Sequence, residues 1–229
     1  MKKLTILLAA AMCVSAAVAQ DAPKYINSLS INYNNNTLYP KDADHLTLNG
    51  FGVNYNFDYR LSESVPVYLG TGVNLQFLFR SENLLDDDII GELPSMRNLD
   101  ITQKWQMFNL TIPINISYRV PVAANFYLTP IIGLDLKTQL YGKTRLDVDG
   151  PTGSIFEDEF GMVPNKDINL YDDDDMAGDA FNRFQLAWHA GLKFEYNTLF
   201  LQLTYGTDFT KLHKDLGEGT FQVGIGKTF

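Results

Sequence analysis

From residue 25 onward this chain alternates apolar and polar residues with period two, segment after segment. That period places successive side chains on opposite faces of a β-strand, so it predicts an all-β fold. Phe51, Val53, Tyr55, Phe57, Tyr59 and Leu61 stand against Gly52, Asn54, Asn56, Asp58 and Arg60. Val67, Leu69, Val73, Leu75, Phe77 and Phe79 stand against Gly70, Gly72, Asn74, Gln76 and Arg80. The same pattern runs through Phe108–Val120, Phe126–Leu140, Phe184–Tyr196, Leu199–Tyr205 and Phe221–Phe229, with a weaker first strand near Leu29, Ile31 and Tyr33. Counting these gives an expectation of about eight strands, close to what a small closed barrel needs. Helical periodicity is weak, and no later stretch is long and apolar enough for a membrane helix.

The connections sort by length. Three are short, at 62–65, 121–125 and 197–198; four are long and polar, at 34–47, 81–100, 142–183 and 210–219. They alternate along the chain. An up-and-down barrel would therefore carry every short turn on one rim and every long loop on the other, which is the layout of outer-membrane barrels.

Alternation alone does not say which face points outward. A soluble barrel buries its apolar face around a ligand, whereas a membrane barrel turns that face to lipid. Charges of both signs recur on the polar face, at Asp58, Arg60, Arg80, Arg119, Asp135, Lys137, Lys193 and Glu195, where a narrow lumen would let them pair. Tyr59, Tyr118, Tyr196 and Phe229 close strands at the short-turn end, as an aromatic girdle would. Gly52, Gly70, Gly72, Gly133, Gly191, Gly206, Gly224 and Gly226 all fall on the crowded inner face. The reading is an eight-stranded, antiparallel, up-and-down transmembrane β-barrel with long acidic extracellular loops.

The N-terminus carries an address. Met1-Lys2-Lys3 is a positive start, residues 4–18 are mainly apolar, and Ala17-Val18-Ala19 is a small-x-small cleavage pattern. Residues 1–19 therefore read as a signal peptide and 20–229 as the barrel domain. Cys13 is a poor lipoprotein acceptor, because Met12 precedes it where a small residue is expected. Cleavage after Ala19 removes Lys2, Lys3 and Cys13 and takes the net charge from −9 to −11. So acidic a chain is no phosphate-backbone binder, and no nucleic acid is expected as a partner. Without cysteine the mature chain uses no disulfide.

The stretch Leu110-Thr111-Ile112-Pro113-Ile114-Asn115-Ile116-Ser117-Tyr118-Arg119, followed by Phe126-Tyr127-Leu128-Thr129-Pro130-Ile131-Ile132-Gly133, resembles the small outer-membrane β-barrel domain family of the Bacteroidota type, with OmpA/OmpX-like architecture. The resemblance covers residues 25–229 and implies a cell outer-membrane location in a Gram-negative bacterium. It implies outer-membrane lipids as surroundings, and the barrel assembly machinery as a partner through the C-terminal strand ending in Phe229. It says little about activity. Pro113 has no N–H for the ladder, so a bulge or local break is expected there.

Little chemistry is legible. His45 and His213 fall in long loops and read as solvated; His189 lies on the polar face beside Lys193 and Glu195, with no nucleophile or orienting acid at a recognisable spacing. The acidic runs Asp86-Asp87-Asp88, Glu157-Asp158-Glu159 and Asp172-Asp173-Asp174-Asp175 are oxygen-rich, and Asp147-Val148-Asp149-Gly150 resembles the start of a calcium loop without its closing Glu. Solvation of exposed loops accounts for them. The sequons at Asn109 and Asn115 lie within a strand. No catalytic, cofactor-binding or metal site is assigned, and no cofactor. The expected role is non-enzymatic: envelope structure, or surface interaction with an extracellular ligand at the loops. The alternatives are a narrow pore for ions or small solutes, a barrel lipid hydrolase, and a soluble ligand-binding barrel.

Overall fold

The computed structural model describes residues 22–41, 44–83, 100–149, 165–176, 180–213 and 216–229. Residues 1–19, read from the sequence as a signal peptide, and the runs at 86–88 and 157–159 lie outside them. The strands are β1 (Tyr25–Pro40), β2 (Leu46–Arg60), β3 (Val67–Asn83), β4 (Asp100–Tyr118), β5 (Val120–Ala123), β6 (Phe126–Asp149), β7 (Asp167–Asn169), β8 (Phe184–Tyr196), β9 (Leu199–Asp208) and β10 (Leu216–Thr228). Eight of them form a ring in the order β1-β2-β3-β4-β6-β8-β9-β10, each antiparallel to its neighbours. Short β5 prolongs β4 into its hairpin with β6, and three-residue β7 pairs β6 at Lys143–Arg145. The ring closes where β1 meets β10, from Ser28 opposite Thr228 to Pro40 opposite Leu216.

The barrel is turned inside out relative to a soluble protein. Ile31, Phe51, Ile132 and Ile225 are 70%, 64%, 60% and 63% exposed, while Asn34 and Gln139 are fully buried in the lumen. Burying amides and exposing a continuous apolar belt is stable only where the surroundings are hydrocarbon. Tyr59 and Tyr196 are exposed at the short-turn end as expected, and Tyr25 joins them there, 5.6 Å from Tyr59 and 5.8 Å from Phe57 ring to ring. Asn125 and Asn197 take the positive φ, 61° and 56°, that tight turns ask of their residues. Adjacent turns are tied by Asn197 N–H to Asn125 O at 2.8 Å.

The strands run further than the alternation suggested. Asn34, Asn35 and Asn36 look like a turn signal, yet β1 continues through them: Asn34 and Asn36 turn their amides into the lumen, and Asn35 on the outer face donates to Asn49 Oδ1 at 2.8 Å on β2. β3, β4 and β6 extend to 17, 19 and 24 residues, against 13, 10 and 13 for β8, β9 and β10. A tilted strand needs only about 9–11 residues to cross a bilayer. The β3-β4-β6 side therefore stands above the β8-β9-β10 side, with β1 and β2, at 16 and 15 residues, between the two. β7 adds to the taller side, making a raised four-stranded sheet from residues 80–83, 100–106, 143–149 and 167–169. Asp147-Val148-Asp149 lies in β6 rather than in a loop.

Two irregularities locate the phase. Opposite Pro113 the β3–β4 pairing lapses between Thr71–Ile114 and Asn74–Thr111 and resumes in the same register, a local break without a bulge. The register shift lies higher, between Phe108 and Asn109, where Leu140 and Tyr141 both face outward. Past it, the inward residues of β6 change from odd to even, which keeps Gly142 and Val148 inside.

Candidate functional site

The lumen has three layers. The floor, at the short-turn end, combines inward rings with paired charges. Tyr68 donates its hydroxyl to Pro23 O at 2.9 Å. Arg119 reaches Glu195 at 2.7 Å and lies over the Tyr127 ring at 3.5 Å. Lys193 sits 4.0 Å from Asp58 and 5.2 Å over the Phe200 ring. Phe200 and Tyr68 show that the inner face is not uniformly polar. Where the barrel must shut, aromatic rings fill space that amides would leave open to water.

The middle layer is polar and holds a small cavity. A water's centre has about 50 Å³ to occupy there, enough for a few waters at about 10–15 Å³ each. One side is lined by Asn54, Asn56, Asn74, Gln76, Thr111 and Asn115, the other by Asp135, Lys137, His189 and Thr220. His189 Nδ1 meets Asp135 Oδ2 at 2.9 Å. Asp135 is the acid that sequence reasoning did not find for His189: it stands on the neighbouring strand, 54 residues away in the chain. No nucleophilic hydroxyl or thiol is hydrogen-bonded to the other ring nitrogen among the described residues. Above this pair, Lys137 Nζ lies 2.7 Å from Asp208 and 3.6 Å from Glu218, and Gln185 bridges Gln139 and Asp208 at 2.7 Å each. Glu218 also accepts from Asn36 Nδ2. Close inner packing requires glycine at position 133, where a Cβ would stand 2.5 Å from Asn115 Oδ1 and 2.7 Å from His189 Cε1.

The third layer is apolar and seals the long-loop mouth. Leu38, Leu48, Leu78 and Met107, all inward-facing on β1 to β4, meet Leu170, Tyr171 and Leu212 from the connections. Trp105, Phe181 and Leu216 pack against them. The long connections are thus not wholly polar: each of two sends apolar side chains down into the mouth. The acidic run helps hold that turn. Asp175 accepts Asn169 N–H at 3.0 Å and pairs with Lys166 at 3.1 Å, and Asp172 accepts Asp174 N–H at 3.0 Å. Those bonds to Asn169 N–H and Lys166 hold the exposed Asp175 carboxyl below its usual range. Burial in the seal raises the Tyr171 hydroxyl above its ordinary value, with the Glu218 charge adding to the effect.

His213, expected in solvent, is half-buried in the seal 5.3 Å from the Phe181 ring; His45 is exposed and lies edge-on to Tyr39. Asp147 is occupied by Lys104 at 2.6 Å and by Arg145, so it is neutralised rather than free for calcium. The Lys104 hydrogen bond, then Arg145, hold its carboxyl low. Asn109 and Asn115 are buried in the lumen, where no glycan reaches.

An apolar belt, a polar sealed lumen, short turns on one rim and a raised sheet on the other together define an outer-membrane β-barrel protein. The chain belongs to the family described as the outer membrane protein beta-barrel domain, whose model matches residues 4–229. Its location is the outer membrane. Among solved structures it is similar to Ail, the attachment invasion locus protein of Yersinia pestis, at 17% identity and a TM-score of 0.46, covering 90% of this chain and 100% of that one. It is also similar to Neisserial surface protein A, at 9% identity and 0.42, covering 90% and 98%, and to OprG of Pseudomonas aeruginosa, at 9% and 0.33, covering 91% and 96%. No curated protein matches the chain.

Proposed function

We propose that this chain is a non-enzymatic surface barrel, sealed across the membrane, that presents its raised sheet to contacts outside the cell. The observation that carries the reading is the division of labour along the barrel axis. Apolar side chains shut the mouth, and the wall continues past them as a four-stranded sheet. A transporter gains nothing from wall above a closed mouth; a surface for contact does. That sheet carries paired charges, Lys104–Asp147, Lys143–Asp167 and Arg145–Asp167, which present both signs to a partner.

The lumen supports the non-enzymatic part. Among the described residues His189 and Asp135 have no nucleophile beside them, and they sit in space that admits water but no lipid chain. The Leu110–Arg119 stretch favours the Bacteroidota-type branch of the family. Phe229, tied to Asn27 O by its N–H at 2.9 Å, ends the strand offered to the barrel assembly machinery.

Two measurements test the reading. Folded protein in a planar bilayer is expected to be electrically silent; discrete current steps would overturn the seal and favour the narrow pore. Cells displaying the chain are then compared with cells displaying a version lacking residues 147–179, for adhesion to surfaces coated with polylysine and with heparan sulfate. Loss of adhesion to either coating on deletion, with the barrel still folded, is expected. Equal adhesion by both would set the surface role aside.

A further inference from the structure

Around the central cavity the two walls leave complementary groups unfinished. The side-chain oxygens of Asn54, Asn56, Asn74, Thr111 and Asn115 have no hydrogen-bond partner among the described residues. Each of these residues is more than nine-tenths buried, and each lines the cavity. All five orphan atoms are oxygens. They sit on adjacent strands, with Asn54 opposite Asn74 and Asn74 opposite Thr111 in direct register. Across the cavity, Asp135 has His189 on one oxygen, and Lys137 is the single ammonium beside Asp208 and Glu218. Glu218 Oε2 is itself unpartnered. The three carboxylates Asp135, Asp208 and Glu218 thus outnumber Lys137 by two, or by one when His189 is protonated.

We infer that the lumen binds a small monovalent cation of the alkali-metal class, held between the Asp135 carboxylate and the side-chain oxygens of Asn54, Asn56, Asn74 and Asn115. A surplus of negative charge behind a low-dielectric wall is costly, and a bound cation offsets it. Neutral oxygens from several strands can replace part of an ion's hydration shell, as carbonyl rings do in selective channels. The donor set decides the valence. One carboxylate among neutral oxygens suits a single charge, whereas hard divalent ions draw on several carboxylates. The volume agrees: about 50 Å³ takes an ion with one or two waters and excludes organic cations. This site is independent of whatever the raised sheet contacts.

The test uses protein extracted from membranes in mild detergent. Its thermal unfolding is followed in sodium, potassium or rubidium chloride and in tetramethylammonium chloride at equal ionic strength. At least one alkali cation is expected to raise the midpoint saturably by about 3 °C over tetramethylammonium, the size of a ligand effect on a chain of this length. Asp135→Asn, which removes the charge and keeps the shape, should lose that ion dependence, while Asp147→Asn outside the lumen should keep it. Equal midpoints in every salt, or undiminished dependence in Asp135→Asn, would overturn the site. Should Asp135→Asn fail to fold, crystals of the unaltered protein soaked in thallous ion decide. An anomalous peak in the cavity against Asp135 is expected, and its absence there would overturn the proposal.

Discussion

The lumen has two walls built on different principles. From β1 to β4 it is lined by Ser28, Ser30, Asn32, Asn34, Asn36, Asn54, Asn56, Asn74, Asn109 and Asn115, and Asp58 is its one buried carboxylate among the described residues. From β6 to β10 it carries Asp135, Lys137, His189, Lys193, Glu195, Asp208 and Glu218. The charged wall is knitted: Lys137 to Asp208 and Glu218, Gln185 to Asp208, His189 to Asp135. The amide wall is loose, and most of the buried side-chain atoms without partners lie on it. A charged group cannot be left unpaired in such a place, because its desolvation penalty far exceeds that of an amide. The strong interactions therefore collect on one side, and the space that remains collects against the other.

The largest effect should come from breaking the knit. Lys137→Met leaves Asp208 and Glu218 facing each other in the lumen, and removing one partner of a buried ion network costs about 3–5 kcal/mol. Urea unfolding of the barrel in lipid should register that loss. A change at the join of the walls comes next. Gly133→Val drives a side chain against Asn115 and His189, and overpacking of this kind costs about 1–3 kcal/mol. The same titration should place it between the first variant and the wild type. On the amide wall the comparison predicts near-neutrality. Asn34→Leu, away from the cavity, removes an amide whose oxygen and nitrogen are both unpartnered and should change stability by less than about 1 kcal/mol in either direction. A cost as large as that of Lys137→Met would dissolve the distinction between the walls.

The strand pattern was legible because lipid outside and polar groups inside impose the same period over the whole membrane height. It failed at both ends for a physical reason. At the mouth Leu38, Leu48, Leu78 and Met107 occupy the inward face, so both faces are apolar and alternation fades just where the strands continue. At the floor Tyr68 and Phe200 do the same. The phase slip did leave a trace in the two adjacent apolar residues, Leu140 and Tyr141. The Asp135–His189 pair left none, because the strands that bring it together are set by ring closure rather than by spacing. Pro113 was readable because a missing N–H acts wherever it falls.

The smallest predicted effect contrasts the lumen with the raised sheet. Asp147 and Asp175 have carboxyls held low by their partners. Their contribution is fully present above the unfolded carboxyl value of about 3.9 and is lost as pH falls through the lower folded values. Protection of residues 143–149 and 165–176 from an acid-active protease should therefore be flat from about pH 5 to 8 and weaken below about pH 4. High salt should weaken these exposed pairs by screening far more than it screens the buried Lys137 network.

The uneven strand lengths have a further consequence. A plain cylinder looks the same from every side, so neighbours in the membrane can approach it in any azimuth. This one has a tall flank on β3, β4 and β6 and a low flank on β8, β9 and β10. It therefore has a front and a back. Neighbours in the outer membrane that meet the low flank and the tall one meet different surfaces, and the barrel's rotation about its own axis decides which.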